Sequence, residues 1–238
     1  MLLAMAVFAI AVLYSMVGHA GASGYIAVMT LFSLAPAEIK PIAPALNILV
    51  ATIGTIQFWR AGHFRWALFW PFALLSVPLA FVGGAMQLPA HVFKMMLGVV
   101  LLYSAWRLFV RPVQDREVRE PPLRHAIPAG GAIGLMAGLT GTGGGIFLTP
   151  LLLFLRWARV KEAAAVSALF ILLNSTAGLL GNLAVTRSFP AFALLLLAAA
   201  GAGGSIGSYL GSRRFDPMWI KRALAMVLTI AGGKLLMT

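Results

Sequence analysis

The chain of 238 residues contains no cysteine, which excludes disulfides, thiolate metal sites and thiol catalysis. It holds only six acids, Glu38, Asp115, Glu117, Glu120, Glu162 and Asp216, and none falls within a long apolar run. Charged residues make up 10% of the chain, where a soluble domain has about 25%. No Lys or Arg precedes the apolar run 2–17, so it lacks the basic segment that opens a signal peptide and is expected to be retained.

What is present is apolar. Hydrophobic residues make up 61% of the chain and mean hydropathy is +0.95, so an integral membrane protein is expected and an ordinary soluble enzyme is not. Lys and Arg number 18, for a net charge of +12. In a soluble protein that excess would suggest a nucleic-acid partner. Here the bases sit in short segments between apolar runs, so membrane topology accounts for them and no nucleic acid is expected.

Six runs are long enough to cross a bilayer, which takes roughly 20 residues: 42–59, 66–86, 92–110, 163–183, 189–210 and 218–236. Two more regions are apolar but broken by glycine. In the first, 2–17 and 25–35 flank Gly18-His19-Ala20-Gly21-Ala22-Ser23-Gly24. In the second, 127–137 and 146–155 flank Gly138-Leu139-Thr140-Gly141-Thr142-Gly143-Gly144-Gly145. The arms after the breaks, at 1.5 Å per residue, reach only about 15–17 Å, half a membrane.

The broken regions are copies. A shift of 120 residues carries Gly18 to Gly138, Gly21 to Gly141, Gly24 to Gly144, Ile26 to Ile146 and Gly83-Gly84 to Gly203-Gly204. After a seven-residue insertion the shift becomes 127, pairing Lys94 with Lys221, Leu97 with Leu224, Val100 with Val227 and Arg107 with Lys234. The chain is thus read as membrane repeat 1 (1–110), a polar cytoplasmic linker (111–125) and membrane repeat 2 (126–238).

Loop charge decides how the broken regions run. If each crosses once, the bases divide 9 to 9 between the two sides; if each turns back as a hairpin, they divide 14 to 4. Only the second split obeys the positive-inside rule. A hairpin plus three crossings is an odd number, so the halves enter from opposite faces. The expected fold is all-α and integral to the membrane: an inverted-topology repeat, each half one glycine-broken helical hairpin plus three transmembrane helices, with both termini extracytoplasmic. Secondary transporters are commonly built this way.

Irregular backbone at membrane depth is tolerated only where it is buried in protein or lines a polar cavity. Two hairpin tips from opposite faces are therefore expected to meet near the midplane around a site. Half-helices starting near Tyr25 and Ile146 would point exposed N–H groups and the positive ends of their dipoles at a ligand, which favours an anion. Ser23, Thr140 and Thr142 could add hydroxyl donors, and His19 could donate or carry a coupled proton. The acid-free interior disfavours a cation substrate. The candidate substrate-binding set is His19, Gly21, Ser23, Gly24, Tyr25, Thr140, Gly141, Thr142, Gly143, Gly144 and Gly145, joined by Asn47 and Asn174 on the helices that follow.

Gln57, Ser175, Thr176 and Asn182 lie on those same helices; interhelical hydrogen bonding is the alternative role for Asn47 and Asn174 and the expected one for Gln57 and Asn182, nearer the ends. For Gly83-Gly84 and Gly203-Gly204, tight helix crossing is the expected role. Trp59, Phe64, Trp66, Trp70, Trp157 and Trp219 cluster near run ends, as interfacial anchors do. The loop at Gly141–Ile146 lacks the third glycine of a dinucleotide motif, and no strand precedes it. Gly21-Ala22-Ser23-Gly24 looks like the serine motif of rhomboid-type intramembrane proteases, but that reading needs a His inside a helix, whereas His63 falls in the loop 60–65.

Gly141-Thr142-Gly143-Gly144-Gly145, followed by Pro150 and Leu152, resembles the G-x-G-G-G-x4-P-x-L signature of the TauE/SafE-type sulfite exporters, and the duplicated layout matches over nearly the whole chain. The first half departs from the pattern: Ser23 and Tyr25 stand where glycines are usual, and Thr30 stands where Pro150 has its mate. The resemblance implies a bacterial inner-membrane permease for sulfite, sulfonates or related sulfur anions. It points to Gly141, Gly143, Gly144, Gly145 and Pro150; nothing in the sequence suggests a metal or organic cofactor. The alternatives are a passive anion channel and an intramembrane serine protease. The expected partners are a small anion and the lipid bilayer, with a second copy of the chain as a further candidate.

Overall fold

The computed structural model describes residues 1–86, 118–186 and 192–213, together with 89, 91, 92, 95, 98, 99, 102, 103, 105, 106, 190, 229 and 233. The runs expected at 92–110 and 218–236, the first part of the linker (111–117), Trp219 and the residues that carry the 127 shift lie largely outside this set. Among the described residues all regular structure is helical. The elements described in full are α1 (Leu2–Ser15), α2 (Ala22–Leu31), α3 (Pro36–Arg60), α4 (Trp66–Ala85), α5 (Leu123–Thr140), α6 (Gly145–Phe154), α7 (Val160–Thr186) and α8 (Ala193–Arg213). Four of these, α3, α4, α7 and α8, are long and apolar enough to cross a membrane. They fall on the runs read at 42–59, 66–86, 163–183 and 189–210.

Two acids start the long helices. Glu38 accepts the Ala35 N–H at 3.1 Å, and Glu162 accepts the Arg159 N–H at 2.9 Å. Each fills an otherwise open donor in a first turn, where a negative charge also suits the helix dipole. Two lysines finish the long helices. Lys40 donates to the Met86 carbonyl at 2.6 Å, at the end of α4, and Lys161 donates to the Ser212 carbonyl at 3.4 Å, near the end of α8.

The helices pack in matched pairs. α4 lies along α5, and α1 lies along α8; α4 meets α7, and α8 meets α3; α3 crosses α7 at the centre. Glycines set the spacing. A carbon added to Gly130, Gly134 or Gly138 would strike the backbone carbonyls of Phe72, Ser76 or Ala80, and one added to Gly203, Gly207 or Gly211 would strike those of Phe8, Val12 or Met16. Both seams rise four residues on each helix, so within each the two helices run parallel with backbones in contact. Gly84 abuts the Gly178 carbonyl and Gly83 that of Leu135. The expected close-crossing role thus describes Gly83, Gly84 and Gly203, while Gly204 packs on the Val50 side chain.

Gly54 faces Ala168, and the Asn47 amide reaches Ser175, so α3 and α7 run antiparallel with their crossing near Ala51 and Ile171. One end of the bundle gathers the loops 61–65, 118–122 and 155–159. There Arg65 lies 3.8 Å from Glu120 and 3.7 Å from Glu162, and the Arg119 N–H donates to the Arg156 carbonyl. Arg60, Arg65, Arg119, Arg124, Arg156, Arg159, Lys161 and Arg213 sit at this end; among the described bases only Lys40 is at the other. Trp59 stacks on Phe64 beside Trp66 at the basic end, both tryptophans more than half exposed, as interfacial anchors are. Trp157 is different. The turn after α6 draws its N–H onto the Leu152 carbonyl and tucks the ring against Phe72, so it is buried in the core.

Candidate functional site

The two short helices, α2 and α6, begin inside the protein, and no side chain caps either start. Gly21, at φ 103°, turns the chain into α2, and Gly144, at φ 82°, turns it into α6 after Gly141 at 73° and Gly143 at 72°. These are left-handed conformations that glycine adopts without steric cost. Ala22, Ser23, Gly24 and Tyr25 are buried in the first turn of α2, as are Gly145 and Ile146 in that of α6. Buried first-turn N–H groups with no cap leave donors to be met by a ligand or water. The positive dipole end at the same place favours a negative ligand.

The breaks reach past each other before the helices restart. Gly18 abuts Ala164 of α7, and Gly141 rests on Pro44 of α3. Each contact lies about seven residues, ~10 Å, beyond the α3–α7 crossing. The chain then doubles back, so Gly145 packs against Ile171, at the crossing itself. His19 closes the junction: its Nε2 is 3.1 Å from the Gly145 carbonyl. A carbonyl only accepts, so this nitrogen carries the proton.

Asn47 holds the second tip. Its Nδ2 donates to the Thr142 carbonyl at 3.3 Å and to Ser175 Oγ at 3.2 Å, while its Oδ1 is buried with no partner. Gly143 fits between these groups; a carbon there would lie 2.6 Å from Ser175 Oγ and 2.9 Å from Asn47 Nδ2. The structure therefore brings His19, Asn47, Thr142, Gly143 and Gly145 together, and adds Ser175.

The expected hydroxyl donors are committed elsewhere. Thr140 Oγ1 donates to the Met136 carbonyl at 2.7 Å, so its 2.9 Å contact with Thr142 Oγ1 uses the proton of Thr142. Ser23 Oγ donates to the Tyr14 hydroxyl at 3.0 Å. Tyr25, fully buried, folds its hydroxyl back over Gly21 and has no partner for it.

Two further differences from the sequence reading concern the first tip and Asn174. α2 starts at Ala22, three residues before Tyr25, because the left-handed turn is made at Gly21 and not at Gly24. Gly24 lies inside the helix against Ile10 and Tyr14. Asn174 points away from the tips, accepting from Ser76 Oγ at 2.7 Å on α4 and leaving its Nδ2 buried and unpartnered. Sequence reasoning passed over Tyr14, Pro44, Ser76 and Ala164 because each matters only through a neighbour distant in the chain.

A helical protein with four apolar spans, one strongly basic end and two buried helix starts facing its centre has the construction of a multi-pass membrane transporter. The comparisons agree. The family described as sulfite exporter TauE/SafE matches residues 3–235, and the chain belongs to that family. It is also 42% identical, over 98% of its own length and 97% of the relative's, to a protein of Sinorhizobium fredii named probable membrane transporter protein y4hK. No solved structure matches the chain.

Proposed function

We propose that the protein is a secondary transporter of small sulfur-containing anions, such as sulfite or organosulfonates, held at the starts of α2 and α6 and moved by alternating access. The observation that carries the reading is the pair of buried helix starts left uncapped. Their N–H groups suit an oxyanion, and among the described residues no carboxylate stands at the α3–α7 crossing to repel one. The site comprises His19, Gly21, Ser23, Gly24, Tyr25, Thr140, Gly141, Thr142, Gly143, Gly144 and Gly145 with Asn47 and Asn174, where Ser23, Gly24, Thr140 and Asn174 shape it from behind. The sulfur chemistry rests on the family.

The inverted repeat is part of the same reading. α3 and α7, which correspond under the 120 shift, run antiparallel, and the paired seams exchange partners between the halves, which supports two inverted copies rocking against each other. The clustering of described bases at one end supports a cytoplasmic side there, with the N-terminus opposite, in a bacterial inner membrane. A homodimer is compatible with the reading and is not required by it.

Flux into proteoliposomes holding purified protein tests the reading, using labelled sulfite, thiosulfate, sulfate and a simple sulfonate, with and without a proton gradient. Saturable flux, accelerated by the same anion on the far side, is expected and would distinguish a carrier from a passive channel. No flux of any of these by folded protein would overturn it.

A further inference from the structure

The hydrogen bonds of Asn47 settle what it can offer a ligand. The Thr142 carbonyl is an acceptor only, so the amide must turn its Nδ2 toward the tip. Its two protons then go to Thr142 and Ser175. What is left is Oδ1, an acceptor, in a side chain that is wholly buried. Ser175 complements it: the oxygen accepts from Asn47, which leaves its own proton to donate. Beside the uncapped start of α6 there is thus a donor-rich wall with one acceptor set into it.

A bare oxyanion satisfies the N–H groups and Ser175 but leaves Oδ1 facing negative oxygens. An anion carrying its own O–H or N–H satisfies both. We infer that the site selects oxyanions bearing a hydrogen-bond donor, such as the hydrogen form of a small sulfur oxyanion or a hydroxy- or aminosulfonate, and that Asn47 Oδ1 is the specificity determinant. The inference rests on the transporter reading above. It assigns Asn47 the opposite role from the one its amide first suggests, since its protons are spent within the protein.

The test compares ethanesulfonate with 2-hydroxyethanesulfonate, both monoanions, in proteoliposomes without a proton gradient. Sites built to bond a hydroxyl reject the analogue lacking it strongly, so the hydroxylated anion is expected to show about tenfold or more higher kcat/KM. Asn47→Leu should bring that ratio down to about unity by losing the hydroxylated substrate's advantage. A ratio near unity in the wild-type protein would overturn the inference, and so would an Asn47→Leu variant that keeps the preference. If Asn47→Leu does not fold, the wild-type ratio still decides. Transport of ethanesulfonate and 2-hydroxyethanesulfonate at equal rates rejects the selectivity alone, whereas flux of neither, nor of sulfite, rejects the transporter reading itself.

Discussion

The two tips share a glycine spacing 120 residues apart and differ in how they turn. The second makes its turn with three left-handed glycines, Gly141, Gly143 and Gly144, and clasps it from outside with Asn47. The first uses two, Gly18 and Gly21, then starts its helix three residues earlier in the repeat and fills the space with Tyr14 and Tyr25. One tip is backbone held by an amide; the other is backbone covered by phenols. If the tips hold one ligand, as proposed, they need not be symmetric, since a ligand with two unlike ends is better met by two unlike walls.

The sharpest way to break that contrast is a methyl group. Gly143→Ala would strain a left-handed residue by about 1–2 kcal/mol and drive the new carbon onto Ser175 Oγ, 2.6 Å away, and Ile171 at 2.8 Å. Transport should be lost while the protein stays folded and monodisperse. Gly24→Ala is helical and meets Ile10 and Tyr14 side chains, which can shift, so it should keep measurable flux. Equal loss in both would mean that the tips are interchangeable after all.

Next in size is the pair of asparagines. Asn47→Ala frees the second tip and should raise KM for 2-hydroxyethanesulfonate about tenfold while flux stays measurable. Asn174→Ala breaks a bond to Ser76 on the far face of α7, which should cost about 0.6–2 kcal/mol of stability and leave substrate affinity near that of the wild type. Thermal unfolding in detergent, measured alongside KM, separates the two. A large KM change in Asn174→Ala would place that residue at the substrate.

Tyr25→Phe sharpens the comparison from the first tip. The hydroxyl it removes is buried and unpartnered, so its loss should leave thermal stability unchanged or raise it by about 1 kcal/mol. If the phenol completes its bonds with the transported anion, flux falls at the same time. Full flux would remove the first tip from the site and leave substrate contacts to the second.

Much of this architecture is legible in the chain. The long helices declare themselves because apolar length is a local property, and α4 begins at Trp66 as read. The breaks are legible because their glycines separate apolar arms too short to cross a membrane after the break. What is not legible is pairing across distance. Gly130, Gly134 and Gly138 show their spacing openly, yet only the fold reveals Phe72, Ser76 and Ala80 as the carbonyls they meet. Asn47 is legible as a candidate, and only its bonds to the Thr142 carbonyl and Ser175 reveal that its amide protons are spent within the protein. The α2 start was misplaced because Gly21 and Gly24 are equally good turn residues by composition, and packing chose the first.

The smallest expected effect concerns the ends of the bundle. Partial burial and the Lys161 charge hold the His63 imidazole below its ordinary range, against a bond to the Ser212 backbone and the Glu162 charge. The folded state therefore favours the neutral ring. Stability from this source is complete above the ordinary His value, about pH 6.5, and is lost as pH falls below it. His63→Gln should flatten that slope, modestly because the ring is largely solvated. The location gives the effect its use. Lys161 lies three residues from Ala164, which supports Gly18, and Ser212 follows Gly211, which supports Met16. Acidification should thus raise hydrogen exchange in residues 16–21 and leave residues 141–144, which rest on α3 near the opposite end, unchanged. Equal rises in both tips would show them coupled as one unit, and the difference between them would be one of sequence without mechanical consequence.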